Sequence, residues 1–246
     1  MEVVDHEEHA RRASSFGSQA SAYAEFRPDY PVAMIEWGLA PLGSDATPYV
    51  LDLAAGTGKL TEGLLRLGLD VIAVEPDLAM LAELTSRFPG ADAKPGTAEA
   101  IPLPDAAVDA VFVGQAMHWF DLDRALPEMG RVLRPGGVVL GAWNSYDDTV
   151  PWVARFCALT HSEQGAPPIR LESFGTVEEA SFPHSARHTA ESLVNTVGTQ
   201  SSMLVSPPQV RDAALGEVRD FLLANPVTAI GEFDVPMRTV AIRVRL

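Results

Sequence analysis

The segment Val50–Thr61 (VLDLAAGTGKLT) constrains this chain more than any other part of it. Val50–Ala54 is a short apolar run with Asp52 inside it. The run breaks at a Gly56-Thr57-Gly58 turn. Helical spacing follows through Leu60, Leu64, Leu65 and Leu67, with Gly68 placed to end the helix. Glycine is needed where a chain turns sharply, or where a ligand must approach the backbone with no Cβ in the way. The helix that starts there offers unpaired N–H groups that favour an anionic ligand group. A second apolar run, Val71–Val74, closes on Glu75, 19 residues past Gly56. A carboxylate at that place accepts hydrogen bonds from both hydroxyls of a ribose. A Gly-x-Gly alone is only a tight turn. With the strand before it, the helix after it and the acid on schedule, it predicts an adenosine cofactor at the switch point of a doubly wound sheet.

The same rhythm continues to residue 144. Asp77 is placed to cap a helix through Arg87, with Leu78, Leu81 and Leu84 on one face and Pro89-Gly90 as its stop. Ala91–Lys94 reads as a weak third strand and Val108–Val113 as a fourth. A helix near Leu126–Leu133, a turn at Arg134–Gly137 and a fifth strand at Val138–Trp143 follow. Strands alternating with helices predict βαβ units and a parallel sheet. Continuous apolar runs, rather than alternating ones, fit strands covered on both faces.

Outside this stretch the pattern loosens. Residues 1–14 read as an arm and Phe16–Ala24 as a short helix. Pro31 suits the first position of a helix over Val32–Leu39. Val150–Thr160 reads as a helix, 161–177 as an irregular loop and 178–186 as a strand. Thr189 is placed to cap a helix over Ala190–Val197, and Ser206-Pro-Pro-Gln209 has the form of a capping box opening a helix to about Leu223. Thr239–Leu246 alternates as a strand with one wetter face.

Charge and cysteine content narrow the partners. There are 18 Lys+Arg against 33 Asp+Glu, a net charge of −15, and the densest basic spot is Arg243 with Arg245. Such a chain repels phosphate backbones and anionic membrane surfaces, so neither nucleic acid nor a membrane is expected as a partner. With 47% hydrophobic and 21% charged residues a sizeable core is affordable and global disorder is excluded. Cys157 is the only cysteine and sits in an apolar helical pattern, which predicts a packed thiol rather than a nucleophile or thiolate metal site. The acidic amino terminus lacks an apolar h-region and no run of ~18 apolar residues occurs, so a cytoplasmic location is the expectation.

A dinucleotide fingerprint wants Gly or Ala where Thr61 stands. The glycine element with Asp52 in its strand instead resembles that of the class I S-adenosylmethionine-dependent methyltransferases. The likeness extends through Gly96–Asp105 (GTAEAIPLPD), Val108–Phe112 (VDAVF) and Arg131–Gly137 (RVLRPGG), and so covers residues 49–144. Gln115–Asp121 (QAMHWFD) and Phe16, Tyr23 and Arg27–Pro31 (RPDYP) resemble the branch containing trans-aconitate methyltransferase and related small-molecule enzymes. The resemblance implies a single domain over 1–246 with a Rossmann-like, seven-stranded, mostly parallel sheet and a C-terminal antiparallel strand at 239–246. Its cofactor half would occupy about 45–145, and a helical cap would be built from 16–40 and 145–225.

The resemblance also implies roles. Asp52 and the turn Ala54–Gly58, with Gly56 and Gly58, would face the methionine end of S-adenosylmethionine. Glu75 and the following Pro76 would hold the ribose. Thr97, Ala98 and Glu99 would edge the adenine, with the Ala98 N–H on a ring nitrogen. The Gln115 backbone would meet the methionine amino group. Ala54 stands where many members carry Gly, and Thr97 where many carry an Asp. Leu78 would pack on the adenine face or be a core leucine.

Methyl transfer from a sulfonium needs alignment and exclusion of water more than proton transfer. His118, just past the fourth strand, is the candidate base or substrate-orienting group. Trp119 and Phe120 would wall the substrate pocket or belong to the core. Tyr23, Arg27 and Tyr30 would fold over the site, with Arg27 on a substrate carboxylate. Asn144 would contact substrate or begin a turn. His184 and His188 are spaced i, i+4 but fall outside any predicted helix, so no metal site is expected. Lys59 would sit on the exposed first turn of its helix. The expected partner is a small-molecule acceptor, methylated at a carboxylate or hydroxyl, and a homodimer is allowed. Two alternatives stay open: a nicotinamide-dependent oxidoreductase, and a methyltransferase-like binding module without turnover.

Overall fold

The computed structural model describes residues 28–43, 47–162, 165–167, 171 and 174–245. The arm 1–14, the helix expected over 16–24, Tyr23 and Arg27 lie outside the described residues. The first elements are α1 (Val32–Leu39), β1 (Tyr49–Leu53), α2 (Lys59–Arg66), β2 (Asp70–Glu75), α3 (Leu78–Arg87), β3 (Asp92–Pro95) and β4 (Val108–Gly114). A 3-10 turn, Met117–Trp119, precedes α4 (Leu122–Val132) and β5 (Leu133–Tyr146). Then come α5 (Pro151–Thr160), β6 (Thr176–His188), α6 (Ala190–Gly198), α7 (Ser201–Val205), α8 (Pro208–Ala224) and β7 (Phe233–Arg245).

The strands form one seven-stranded sheet in the order β3-β2-β1-β4-β5-β7-β6, mostly parallel with antiparallel C-terminal strands. β1 pairs in parallel with β2 on one side and with β4 on the other. The chain steps outward from β1 through β2 to β3, then returns to β4 across β1. The carboxyl ends of β1 and β4 therefore flank the switch point, where such sheets open a crevice for ligands.

Period-two alternation divides the core between the two faces. From β4, Val111 and Val113 pack on one face with Leu51, Leu53, Ile72 and Val74 and with Ala125 and Met129 of α4. Ala110 and Phe112 pack on the other face with Val50, Leu140, Met34 and Ile35 of α1 and Leu60 and Leu64 of α2. Burying such side chains contributes about 1.5–3 kcal/mol each, and the fully buried carboxyl of Asp52 stands out against these apolar neighbours.

The described chain divides into two compact units: 29–144 with 165–182 and 239–245, and 145–162 with 183–238 and Pro28. The second has its own core of Val153, Phe156, Leu193, Val197, Leu222 and Val235. Cys157 is buried in that core, as its apolar pattern predicts. Among the described residues no helix is long and apolar enough to cross a membrane.

Several boundaries differ from the sequence expectation, each for a physical reason. The turn at Arg134–Gly137 sits inside the ladder: Val108 faces Leu133 while Ala110 faces Val138, so the extra residues bulge out. α4 begins at Leu122, four residues early, and absorbs Pro127. β6 starts inside the expected loop and runs through Pro183, tolerated because β6 is an edge strand. His184 and His188 both lie on β6, and no cluster of three metal-ligating side chains occurs among the described residues. β7 starts at Phe233, before Thr239, with Pro236 inside it. Pro207 is the N-cap of α8 with no side-chain cap bond, so the capping box expected from Ser206 does not form. The capping box lies instead at Thr189 and Ser192 of α6.

Candidate active site

The carboxyl end of β1 passes into the glycine turn. Ala54, Gly56 and Gly58 all have left-handed backbones, with φ of 57°, 59° and 87°. Gly56 lies in open space, where an added Cβ would meet only Met80 Sδ at 3.9 Å. At Gly58 a Cβ would approach Phe88 to 2.8 Å, so a bare backbone there lets the turn pack on the end of α3. Ala54 carries its side chain at a torsion that disfavours one by about 1–2 kcal/mol, a strain held where a ligand would approach.

Two buried carboxyl groups flank this turn. Asp52 is fully buried; its Oδ2 accepts from the Thr61 hydroxyl at 2.6 Å, and its Oδ1 has no partner among the described residues. Burial pushes Asp52 up to about 7, against the opposing Thr61 bond. The Thr57 hydroxyl, in the turn itself, is also buried without a partner among the described residues. Glu75 is 5% exposed. Its two oxygens accept from the Gly56 N–H at 2.8 Å and the Asp77 N–H at 2.9 Å. Burial raises Glu75 above the usual carboxylate range, and those two N–H bonds oppose the rise. A carboxylate offers about four lone-pair sites, so Glu75 staples the turn and still has capacity to accept from a diol.

Past Glu75, Pro76 leads to Asp77, which caps α3 by accepting from the Ala79 and Met80 N–H groups. Leu78 is 70% exposed, which removes the core-leucine alternative. Beyond β3, Thr97 and Ala100 form a small bridge, Ala98 is buried in the core, and Glu99 Oε1 accepts from the Asp121 N–H at 3.0 Å. α4 grips the continuation of this loop. Glu128 accepts from the Ile101 N–H, while Arg131 donates to the Ile101 and Leu103 carbonyls and to Asp105.

At the end of β4, Gln115 is left-handed (φ 58°); its N–H donates to the Ala142 carbonyl and its side chain to the Asn144 carbonyl. The Tyr30 hydroxyl lies against Gly114, where a Cβ would come within 2.5 Å of it. Asn144 accepts from the Thr239 hydroxyl at 2.5 Å and donates to the Asp29 carbonyl at 3.2 Å, tying the chain beside Tyr30 to the strand ends. Lys59 is half-buried and pairs with Asp29 at 3.1 Å, so it is not the free surface lysine its position in α2 predicts. His118 lies on the 3-10 turn after β4, its ring 4.7 Å from that of Trp119. Its Nδ1 accepts from the Trp143 indole N–H at 3.3 Å. Phe120 packs against the core.

The structure thus gathers Asp52, the glycine turn and Glu75 around the end of β1, and Gln115, His118, Trp119, Tyr30 and Asn144 around the ends of β4 and β5. Sequence reasoning missed the Glu75 staple, the Thr61 partner of Asp52 and Trp143, because these are contacts between elements, and it missed the Thr57 hydroxyl because burial without a partner leaves no local sequence signal. A cavity of about 440 Å³ lies at the opposite, amino-terminal strand edge, among Pro48, Asp109, Arg134 and Arg245, away from all of these groups.

The chain is similar to known methyltransferases. The methyltransferase domain family matches residues 51–141. An uncharacterized methyltransferase of Mycobacterium tuberculosis is 42% identical over 238 residues, covering 94% of this chain and 96% of the relative. A solved structure from Anaeromyxobacter dehalogenans, assigned as a type II methyltransferase, is 28% identical with a TM-score of 0.62, covering 89% of this chain and 97% of that one. A malonyl-[acyl-carrier protein] O-methyltransferase of Methylococcus capsulatus is 45% identical over 95 residues, 36% of this chain and 34% of that protein.

Proposed function

We propose that this chain, which belongs to the class I S-adenosylmethionine-dependent methyltransferases, methylates an oxygen of a small acidic acceptor. The cofactor is that of the family; the residues that hold it and the acceptor are this proposal's own.

The single observation that carries the cofactor placement is the unpartnered Asp52 Oδ1 beneath the glycine turn. A buried carboxyl oxygen without a partner costs about 1–3 kcal/mol or more, and an ammonium group bound at the turn would satisfy it. The residues fit the cofactor in other ways too. Gly56 leaves room at the backbone, Glu75 has lone pairs for the ribose hydroxyls, and exposed Leu78 offers an apolar face to the adenine. The loop Thr97–Glu99 would edge the ring, and the backbone of Gln115, left-handed at the end of β4, would meet the amino-acid end.

When bound, S-adenosylmethionine supplies a methyl group on a cationic sulfur, which a carboxylate oxygen displaces in line with no proton changing hands. The protein's part is to orient the acceptor and exclude water. His118, Trp119 and Tyr30 stand at the strand ends where that acceptor would sit, and Arg27, which lies outside the described residues, is the cation the sequence offers for a carboxylate. An acid acceptor suits a chain that repels nucleic acid, because one local cation outweighs a screened surface field.

The test is incubation with methyl-labelled S-adenosylmethionine and a small-metabolite fraction, then treatment of the products with base. Methyl esters release labelled methanol; N- and C-methyl products do not. Base-stable label would overturn the carboxylate acceptor. Cofactor binding with no labelled product at all would favour a binding module.

A further inference from the structure

We infer that Trp143 fixes the tautomer of His118, so that His118 serves the methyl acceptor as a hydrogen-bond donor through Nε2 and not as a general base. The inference rests on the placement of His118 at the acceptor site. It goes further by assigning a proton to one ring nitrogen and a positioning role to a residue buried beneath the site.

The argument starts from the indole. A tryptophan N–H donates and has no lone pair to accept with. Trp143 Nε1 lies 3.3 Å from His118 Nδ1, so Nδ1 must be the acceptor and carries no hydrogen. In neutral imidazole the proton then sits on Nε2. The donor cannot swing away. Trp143 is 2% exposed, and its ring lies over Gly141, where a Cβ would come within 2.6 Å of the indole. Met117, the residue before His118, packs against the same glycine, its Cε 3.2 Å from that Cβ position. Any side chain at Gly141 would lift the indole, and buried tryptophan N–H groups find partners. The contact joins β5 to the turn after β4, so the sheet that builds the site also sets the ring.

The chemical consequence concerns the acceptor. A general base needs a lone pair aimed at the proton it removes. In this tautomer Nδ1 is engaged by Trp143 and Nε2 is already protonated. Nε2–H suits an acceptor atom that has no proton to lose. It donates to one oxygen of an oxyanion while the other forms the new C–O bond and the C–S electron pair returns to sulfur. The acceptor class is therefore one already ionised at the working pH, and unactivated alcohols are excluded.

The test separates this inference from the function it builds on. The full chain is labelled with ¹⁵N in histidine and tryptophan rings, and long-range proton–nitrogen correlations are recorded near neutral pH. The His118 signals are identified by their loss in His118→Gln. We expect the Nε2–H tautomer in the wild type, and a through-bond coupling between Trp143 Nε1 and His118 Nδ1 that needs no variant. In Trp143→Phe we expect a mixture of tautomers. An Nδ1–H tautomer in the wild type overturns the inference, as does a ring unchanged in folded Trp143→Phe. Labelled-methyl turnover supplies the second readout. His118→Gln keeps an N–H donor without a titrating base and should stay within about tenfold of wild type, while His118→Ala should fall about ten- to a hundredfold. Equal loss in both variants makes His118 a base and overturns the inference. Failure of the wild type to label any acceptor counts against the proposed function alone, since the tautomer is read without turnover.

Discussion

Asp52 sits where a carboxyl group is expensive, and its cost has a pH signature. Burial raises it from an ordinary 3.8 to about 7. A group whose folded value is raised contributes its stability below the unfolded value and loses it as pH rises through the folded one. Between those limits the folded protein holds a proton that the unfolded chain has released. The cofactor-free wild type should therefore lose stability relative to Asp52→Asn as pH rises from about 4 to about 7, by an amount on the order of a few kcal/mol. Asparagine keeps an oxygen for the Thr61 hydroxyl, so the comparison isolates the charge. Thermal unfolding of the two proteins across this range checks it; parallel curves would mean that Asp52 ionises freely. With S-adenosylmethionine present the sign reverses. An ammonium partner favours ionised Asp52, so wild-type affinity should climb with pH up to about 7 while the variant's stays flat and weaker.

At the scale of elements, α4 works as a clamp on the loop proposed to edge the adenine. Arg131 makes charge-assisted bonds to two backbone carbonyls of that loop while paired to Glu128 at 2.7 Å. Arg131→Ala removes these bonds and leaves the β-sheet core untouched. Hydrogen exchange across residues 96–105 should accelerate by about ten- to a hundredfold, with no change in β1 or β4. Mass-spectrometric exchange on the cofactor-free protein reads this directly; acceleration shared with the strands would show a global loss instead. The elements differ in how far the sequence reveals them. β1, α2, β2 and the Asp77 cap of α3 are legible because each signal is local: an apolar run, a left-handed glycine, an aspartate two residues before the N–H it accepts from. The start of β7 is hidden by Pro236, which reads as a strand break yet lies inside the strand, whereas the strand expected over 178–186 already spans Pro183 and falls short of β6 by two residues at each end. In the site, Glu75 is legible by spacing, but its bond to the Gly56 N–H is not. Nor are the Asp52–Thr61 and His118–Trp143 contacts. The first two depend on how a strand end meets the glycine turn and α2, and the last on which strand lies beside β4.

At the scale of the whole molecule, the net charge of −15 bears on the cofactor cycle. S-adenosylmethionine carries one net positive charge, from a sulfonium and an ammonium against one carboxylate, and the demethylated product is neutral overall. An acidic chain with two buried carboxyl groups beside its glycine turn attracts the first more than the second. The long-range part of that preference is screened as the Debye length shrinks from about 30 Å at 0.01 M salt to about 3 Å at 1 M. Raising salt over that range should weaken S-adenosylmethionine by about two- to fivefold and leave S-adenosylhomocysteine nearly unchanged. Titration calorimetry of both ligands at several salt concentrations measures the two slopes. Equal slopes would place the discrimination wholly in buried contacts such as Asp52, which salt screens far less. A steeper slope for the charged ligand means that the surface field helps to exchange spent cofactor for fresh. In that case the acidity of the whole chain, and not the buried site alone, favours the next round of turnover.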